Sequence, residues 1–171
     1  DIAHASFVAR VNSAIVEARL QAQHLTLELT ENILMARLEA ALPTLAELRR
    51  LGVGLSVDDF GTGYSSLRHL STLPVNNLKI DRAFIAEMQR GTNEAAVVRG
   101  IVLLGNSLGK SIIAEGIETA EQMEQLRGMG CKAGQGFFLS RPLTADVVDT
   151  LLDGLVAQAP VERTQSRPAL S

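Results

Sequence analysis

Four segments of this 171-residue chain repeat one grammar: a short run rich in Leu, Ile and Val ends in acidic residues, and a helical pattern follows. They are Leu25–Glu31 (LTLELTE), Val53–Asp59 (VGLSVDD), Leu78–Asp81 (LKID) and Ile112–Glu118 (IIAEGIE). Alternating strand and helix units imply parallel strands, because a parallel pair needs a long crossover between its members. In a β/α barrel the working residues come from the strand ends that face the βα loops, so these acids would gather at one mouth. A single strand-end acid is ordinarily a helix N-cap or a surface charge. Four in register are more than capping requires.

The second of these segments, continued to Gly63 as LSVDDFGTG, sets two adjacent aspartates where an apolar strand breaks into a glycine loop. Adjacent carboxylates repel, and a divalent cation between them is the best means of keeping both charged. The alternative is a solvated Asp-Asp turn. Lys79 and Asp81 stand two apart on a strand and therefore point to the same face. Lys79 reads either as a salt bridge to Asp81 or as a cation that orients a reactant and offsets phosphate charge.

The periodicity predicts a first amphipathic helix through Phe7, Val8, Val11, Ile15 and Leu20, then a strand over Leu25 to Leu29. Ala36 to Arg50 reads as a helix closed by Gly52, and Val53 opens the next strand. Tyr64 to Leu70 is expected to be a short helix, with Pro74 ending that connection. Asn93 to Gly109 reads as a longer helix, and Thr119 with Gln122 forms a capping-box pattern for one that ends near Gly128 or Gly130. A last strand near Ala133 to Leu139 leads through Pro142 to a final helix from about Thr144. From Ala157 onward the sequence turns polar with two prolines and reads as a loose tail.

The size and the 46% hydrophobic content suit one α/β domain. A complete β/α barrel needs roughly 200 residues or more, and about five strands of the eight are present, so the chain is not expected to close a barrel alone. A net charge of −3 argues against a groove for polymeric nucleic acid. Neither a signal peptide nor an apolar run of membrane-spanning length is seen, so no membrane contact is expected in this segment and a cytoplasmic location is the default. Cys131 is a single cysteine, read as a buried small hydrophobe. His4, His24 and His69 lack metal-ligand spacing. Gly105–Ser111 (GNSLGKS) imitates a phosphate-binding loop, but it is one residue short and follows a helix instead of a strand.

The motifs ELTE (Glu28–Glu31), DDFGTGYSSL (Asp58–Leu67), LKID, AEGIET (Ala114–Thr119), GQGF (Gly134–Phe137) and SRPL (Ser140–Leu143) occur together and in this order. The chain thereby resembles the C-terminal two-thirds of an EAL domain, the cyclic-di-GMP phosphodiesterase family, with Phe137 where the family usually has Tyr. The resemblance implies a partial (β/α)8 TIM-like barrel over residues 1–156, followed by a tail over 157–171. The family's Glu-Ala-Leu and Asn-x-Ser motifs, which supply two metal ligands, would lie before Asp1, so the sequence reads as truncated at its N-terminus.

By the same resemblance, the activity is metal-dependent hydrolysis of cyclic-di-GMP to linear pGpG, with a catalytically inactive binding or interaction module as the alternative. A two-metal site for Mg²⁺ or Mn²⁺ would use Glu28, Asp58, Asp59 and Asp81. Lys79 and Glu115 would be catalytic, and Gln135 and Glu118 would lie by the substrate. Glu31, Gly61 and Gly63 would fix the loop after the Asp pair. The resemblance further implies a homodimer, and the parent could be a membrane or sensor protein with this part in the cytoplasm.

Overall fold

A computed structural model of the chain describes residues 2, 4, 6–63, 67–88 and 92–158. It divides into two units, through Leu139 and from Ser140 onward. The first contains the entire sheet.

That sheet is built from β1 (Thr26–Thr30), β2 (Gly54–Phe60), β3 (Asn77–Ile80), β4 (Ser111–Ala114) and β5 (Ala133–Gly134). All neighbouring pairs are parallel, and the spatial order repeats the chain order without reversal. A doubly wound sheet would reverse direction at a switch point, whereas a barrel winds one way throughout. The five strands therefore form an arc of a β/α barrel, as the sequence predicts.

Helices fill the crossovers: α1 (Phe7–Glu17) precedes the sheet, α2 (Glu31–Ala36) and α3 (Leu38–Arg50) link β1 to β2, and α4 (Leu67–Thr72) leads to β3. Beyond β3 lie α5 (Arg82–Glu87) and α6 (Thr92–Ser107), then α7 (Ala120–Gly128) after β4. In the second unit α8 runs over Ala145–Gln158. Among the described residues no helix is long and apolar enough to cross a membrane.

The period-two pleat sorts side chains between the two faces of the sheet. Leu55, Val57, Leu78, Ile80, Ile112 and Ala114 fall on one face, where they are buried with Leu45 and Leu48 of α3 and Val98 and Val102 of α6. The other face is polar: in register it carries Glu28 beside Ser56 and Asn77, then Thr30 beside Asp58. Helix ends fix where each strand begins. At Gly52, with φ +93°, the N–H groups of Gly52 and Val53 reach back to the carbonyls of Arg49 and Leu48, so the chain leaves α3 through a left-handed residue and enters β2. Gly109 closes α6 in the same way. The phosphate-loop imitation around it is a helix terminus.

Several boundaries differ from the sequence reading. Two short helices, α2 and α5, lie outside the sequence reading, and the helix expected from Ala36 begins at Leu38, because Arg37 at φ −138° separates it from α2. Strand β5 pairs over two residues instead of seven, because Gly136 turns the chain. The expected helix from Tyr64 is described from Leu67, and Tyr64 to Ser66 lie outside the described residues. Ala157 and Gln158 are helical, and 159–171 lie outside the described residues.

Candidate active site

The register puts the strand ends side by side: Thr30 opposite Asp58, Ile80 opposite Ala114, and Ala114 opposite Gly134. The next residues along these strands are Glu31, Asp59, Asp81, Glu115 and Gln135. Four of the predicted acids, Glu31, Asp59, Asp81 and Glu115, thus follow strand ends at the same rim, with Gln135 beside them.

Consecutive strand residues would normally point to opposite faces, which would separate Asp58 from Asp59. The structure avoids this with a bulge. Val57 pairs with Leu78 and Phe60 with Ile80, so β2 holds one residue more than β3 across this interval. Asp59 absorbs the irregularity in the left-handed region at φ +55°, where Asp is tolerated better than most residues. Ligand oxygens of Asp58, Asp59 and Glu115 consequently lie within 4.8 Å of one another.

Lys79 stands at the centre. It is only 4% exposed, and its Nζ lies 2.7 Å from Glu28 Oε2, 3.1 Å from Asp58 Oδ1 and 2.6 Å from Glu115 Oε1. Burial favours the neutral amine, but hydrogen bonds to Glu115, Glu28 and Asp58 outweigh it and hold the ammonium above its ordinary range. The simple alternative of a Lys79–Asp81 salt bridge is replaced by this three-carboxylate cage. Asp81 instead caps α5, its Oδ1 accepting the Ala83 N–H at 2.8 Å. Burial raises the Asp59 carboxyl above its ordinary value, and the charges of Asp58 and Asp81 add to the effect.

The remaining predicted residues take varied places. Gln135 donates from Nε2 to Glu115 Oε1 at 2.7 Å, so that oxygen is held by both an amide and an ammonium. Glu118 is exposed, and its backbone N–H donates to Gln122 Oε1. Glu31 is 1% exposed and accepts from the N–H of Gly61 at 2.8 Å and of Gly63 at 3.4 Å. A Cβ on Gly61 would fall 2.9 Å from the Phe84 ring, and one on Gly63 2.8 Å from Glu31 Oε1. The loop lies too close to its supports for larger residues.

Three carboxylates around one ammonium, with Asp59 beside them, leave a surplus of negative charge, and all the donors are hard oxygens. That set suits Mg²⁺, Mn²⁺ or Ca²⁺ and would hold a soft metal poorly.

The chain belongs to the EAL domain family, which it matches over residues 1–142. The bifunctional diguanylate cyclase/cyclic di-GMP phosphodiesterase MucR of Pseudomonas aeruginosa is 48% identical to it over 144 residues, which make up 84% of this chain and 21% of MucR. The cyclic di-GMP phosphodiesterase NbdA of the same organism is 40% identical over 152 residues, 89% of this chain and 19% of NbdA. A solved structure of PaMucR phosphodiesterase in complex with c-di-GMP superposes with a TM-score of 0.83 at 47% identity, covering 86% of this chain and 60% of that one. The manganese/cy-diGMP complex of Klebsiella pneumoniae BlrP1 gives a TM-score of 0.76 at 30% identity, covering 81% of this chain and 36% of that one. The chain spans about a fifth of the length of these curated relatives. The five-stranded arc is thereby identified as part of a TIM-barrel-like EAL domain.

Proposed function

We propose that this chain carries the machinery of a metal-dependent phosphodiesterase that opens cyclic-di-GMP to linear pGpG. The observation that supports this most is the cage in which Glu28, Asp58 and Glu115 converge on Lys79 beside Asp59. Names and complexes of the relatives, MucR above all, point to the same substrate.

Glu28, Asp58, Asp59 and Asp81 would hold the Mg²⁺ or Mn²⁺ ions of a two-metal site. When bound, such ions supply Lewis-acid charge at the attacking and leaving oxygens of an in-line displacement. Glu115 would accept the proton of the water that attacks phosphorus, as the P–O bond to the ribose 3′ oxygen breaks and that oxygen is protonated from solvent. Lys79 and Gln135 fix one oxygen of Glu115, which holds the carboxylate in a set orientation, as a general base requires. Because its ammonium is stabilised, Lys79 would serve as a fixed positive charge facing the phosphate and not as a base. Gln135 and Glu118 would meet the dinucleotide at the rim. Glu31 would keep the Gly61–Gly63 turn in place next to the Asp pair.

We further place the chain in the cytoplasm as a homodimer formed near that turn. The test is incubation with cyclic-di-GMP and Mg²⁺ or Mn²⁺, using EDTA and Asp58→Asn as controls and chromatography to detect pGpG. Cation-dependent turnover that Asp58→Asn abolishes is the expected result. Binding of the dinucleotide with no turnover would make the chain a receptor.

A further inference from the structure

We infer that Gln122 is a positioning residue that clamps the loop end bearing Asp81 against the loop end bearing Glu115. Gln122 lies in the first turn of α7 and is 4% exposed. An N-terminal capping box needs this side chain only to accept from the N-cap N–H, which it does from Thr119 at 3.1 Å. It does two further things. Its Oε1 accepts the N–H of Glu118 at 2.7 Å, and its Nε2 donates to the carbonyl of Ile85 at 3.1 Å, 37 residues away.

Ile85 belongs to the last turn of α5, where carbonyls lack partners within the helix. Helix α5 begins at its N-cap, Asp81. Its first residue, Arg82, is pressed against Gly116, which follows Glu115: a Cβ on Gly116 would fall 2.5 Å from Arg82 Cβ, and Gly116 has φ +69°. The segment after β4 therefore meets α5 at both ends, at Arg82 through Gly116 and at Ile85 through Gln122. A shift of α5 would carry Asp81 away from Asp59, and a shift of the 115–119 segment would carry Glu115 away from Lys79. A buried amide satisfied on both sides resists either movement, because breaking one bond leaves a polar group stranded.

The part of this inference that concerns turnover rests on the phosphodiesterase reading, whereas the clamp itself is a matter of geometry. Gln122→Glu separates the two roles of the side chain. It keeps an acceptor for Thr119 and Glu118, so α7 stays capped, but it turns an oxygen toward the Ile85 carbonyl. Hydrogen exchange on the full chain without added cation should then be faster by about tenfold at Met88, which donates to Phe84, and at Ile117, which donates to Gln135, with Leu126 in α7 unchanged. Changes confined to α7, or none at all, overturn the clamp.

Gln122→Met removes cap and clamp together and should expose α7 as well. If that variant fails to fold, Gln122→Glu still decides. In the activity assay with cyclic-di-GMP, kcat of Gln122→Glu should fall by about tenfold or more with KM within about twofold. An unchanged kcat overturns the positioning role. A wild-type chain without turnover would defeat the proposed function, and the exchange measurement would still judge the clamp.

Discussion

The two ends of the parallel sheet each keep a lysine away from bulk water, and they do so by opposite means. At the end where the βα loops begin, Lys79 is caged by three carboxylates and its ammonium is stabilised. At the other end Lys110, just before β4, donates to the carbonyls of Leu73 at 2.8 Å and Val75 at 3.2 Å. Among the described residues no acid forms an ion pair with it. Burial pulls its ammonium below the ordinary range, and the neighbouring charge of Arg49 adds to this. Carbonyl dipoles can tie a chain in place, but they leave no net charge for a ligand to exploit. Carboxylates in excess of their lysine do.

The difference implies that substitutions at the two ends should affect different quantities. The largest expected effect is on turnover: Asp58→Asn or Lys79→Met should lower kcat for cyclic-di-GMP by roughly 100- to 1000-fold, the scale for losing one preorganised electrostatic group. Lys110→Met should stay within about twofold, the size of an effect that leaves transition-state contacts intact. A stable Lys110→Met chain without activity would break the comparison.

The next effect is on stability, and it sharpens the reading of the cage. Lys79→Met leaves Glu28, Asp58 and Glu115 facing one another, with side chains 47%, 25% and 15% exposed. A fully buried broken pair costs about 3–5 kcal/mol, and solvent access to these acids should reduce that to about 1–3 kcal/mol. Urea unfolding in EDTA should show this loss, and Mg²⁺ or Mn²⁺ should restore more stability to Lys79→Met than to the wild type. A loss that cations do not reverse would mean that Lys79 acts by packing its stem.

Much of the cage was legible in the sequence, since strands that end in acids and alternate with helices can only bring those acids to one rim. What was not legible lies in backbone irregularity and in distant partners. The bulge that turns both Asp58 and Asp59 to the site depends on a non-glycine residue at φ +55°, and no residue pattern announces it. Helix α5 leaves no clear sequence signal because it spans six residues and its N-cap is Asp81, which the pattern counts as a strand end. The Lys79–Glu28 contact joins residues 51 apart. Spacing suggested the neighbour Asp81 instead, and only the sheet register makes Glu28 the nearer partner. The spacing of Thr119 and Gln122 marks the cap, but nothing in it indicates the reach of Gln122 to Ile85, 37 residues away.

At the opposite end the expected change is smaller. Lys110→Met would strand two carbonyls and cost about 1–2 kcal/mol, the range for buried polar groups left without partners. Because Arg49 also donates to Asn76 Oδ1 at 2.8 Å, and that oxygen accepts the Leu55 N–H at 2.9 Å, this end of the sheet should loosen without unfolding. Calorimetry of the variant, with the rim left intact, would measure the effect.

The smallest effect is the most discriminating, because the two lysines should tilt stability in opposite senses on either side of pH 10.5, their common ordinary value. Lys110 has a lowered folded value, so below 10.5 the unfolded chain binds its proton more readily than the native chain. Its contribution to stability therefore grows as pH rises through that window. Lys79 has a raised folded value, so its contribution is complete below 10.5 and is lost as pH climbs toward that higher value. Urea unfolding as pH rises toward the ordinary lysine value should show a rising component that Lys110→Met removes and Lys79→Met leaves in place. Arg49→Ala should weaken the same component by relieving part of the repulsion on Lys110. If Lys110→Met does not flatten the slope, its ammonium is as well solvated in the folded chain as in the unfolded one, and the contrast between the two ends of the sheet would rest on geometry alone.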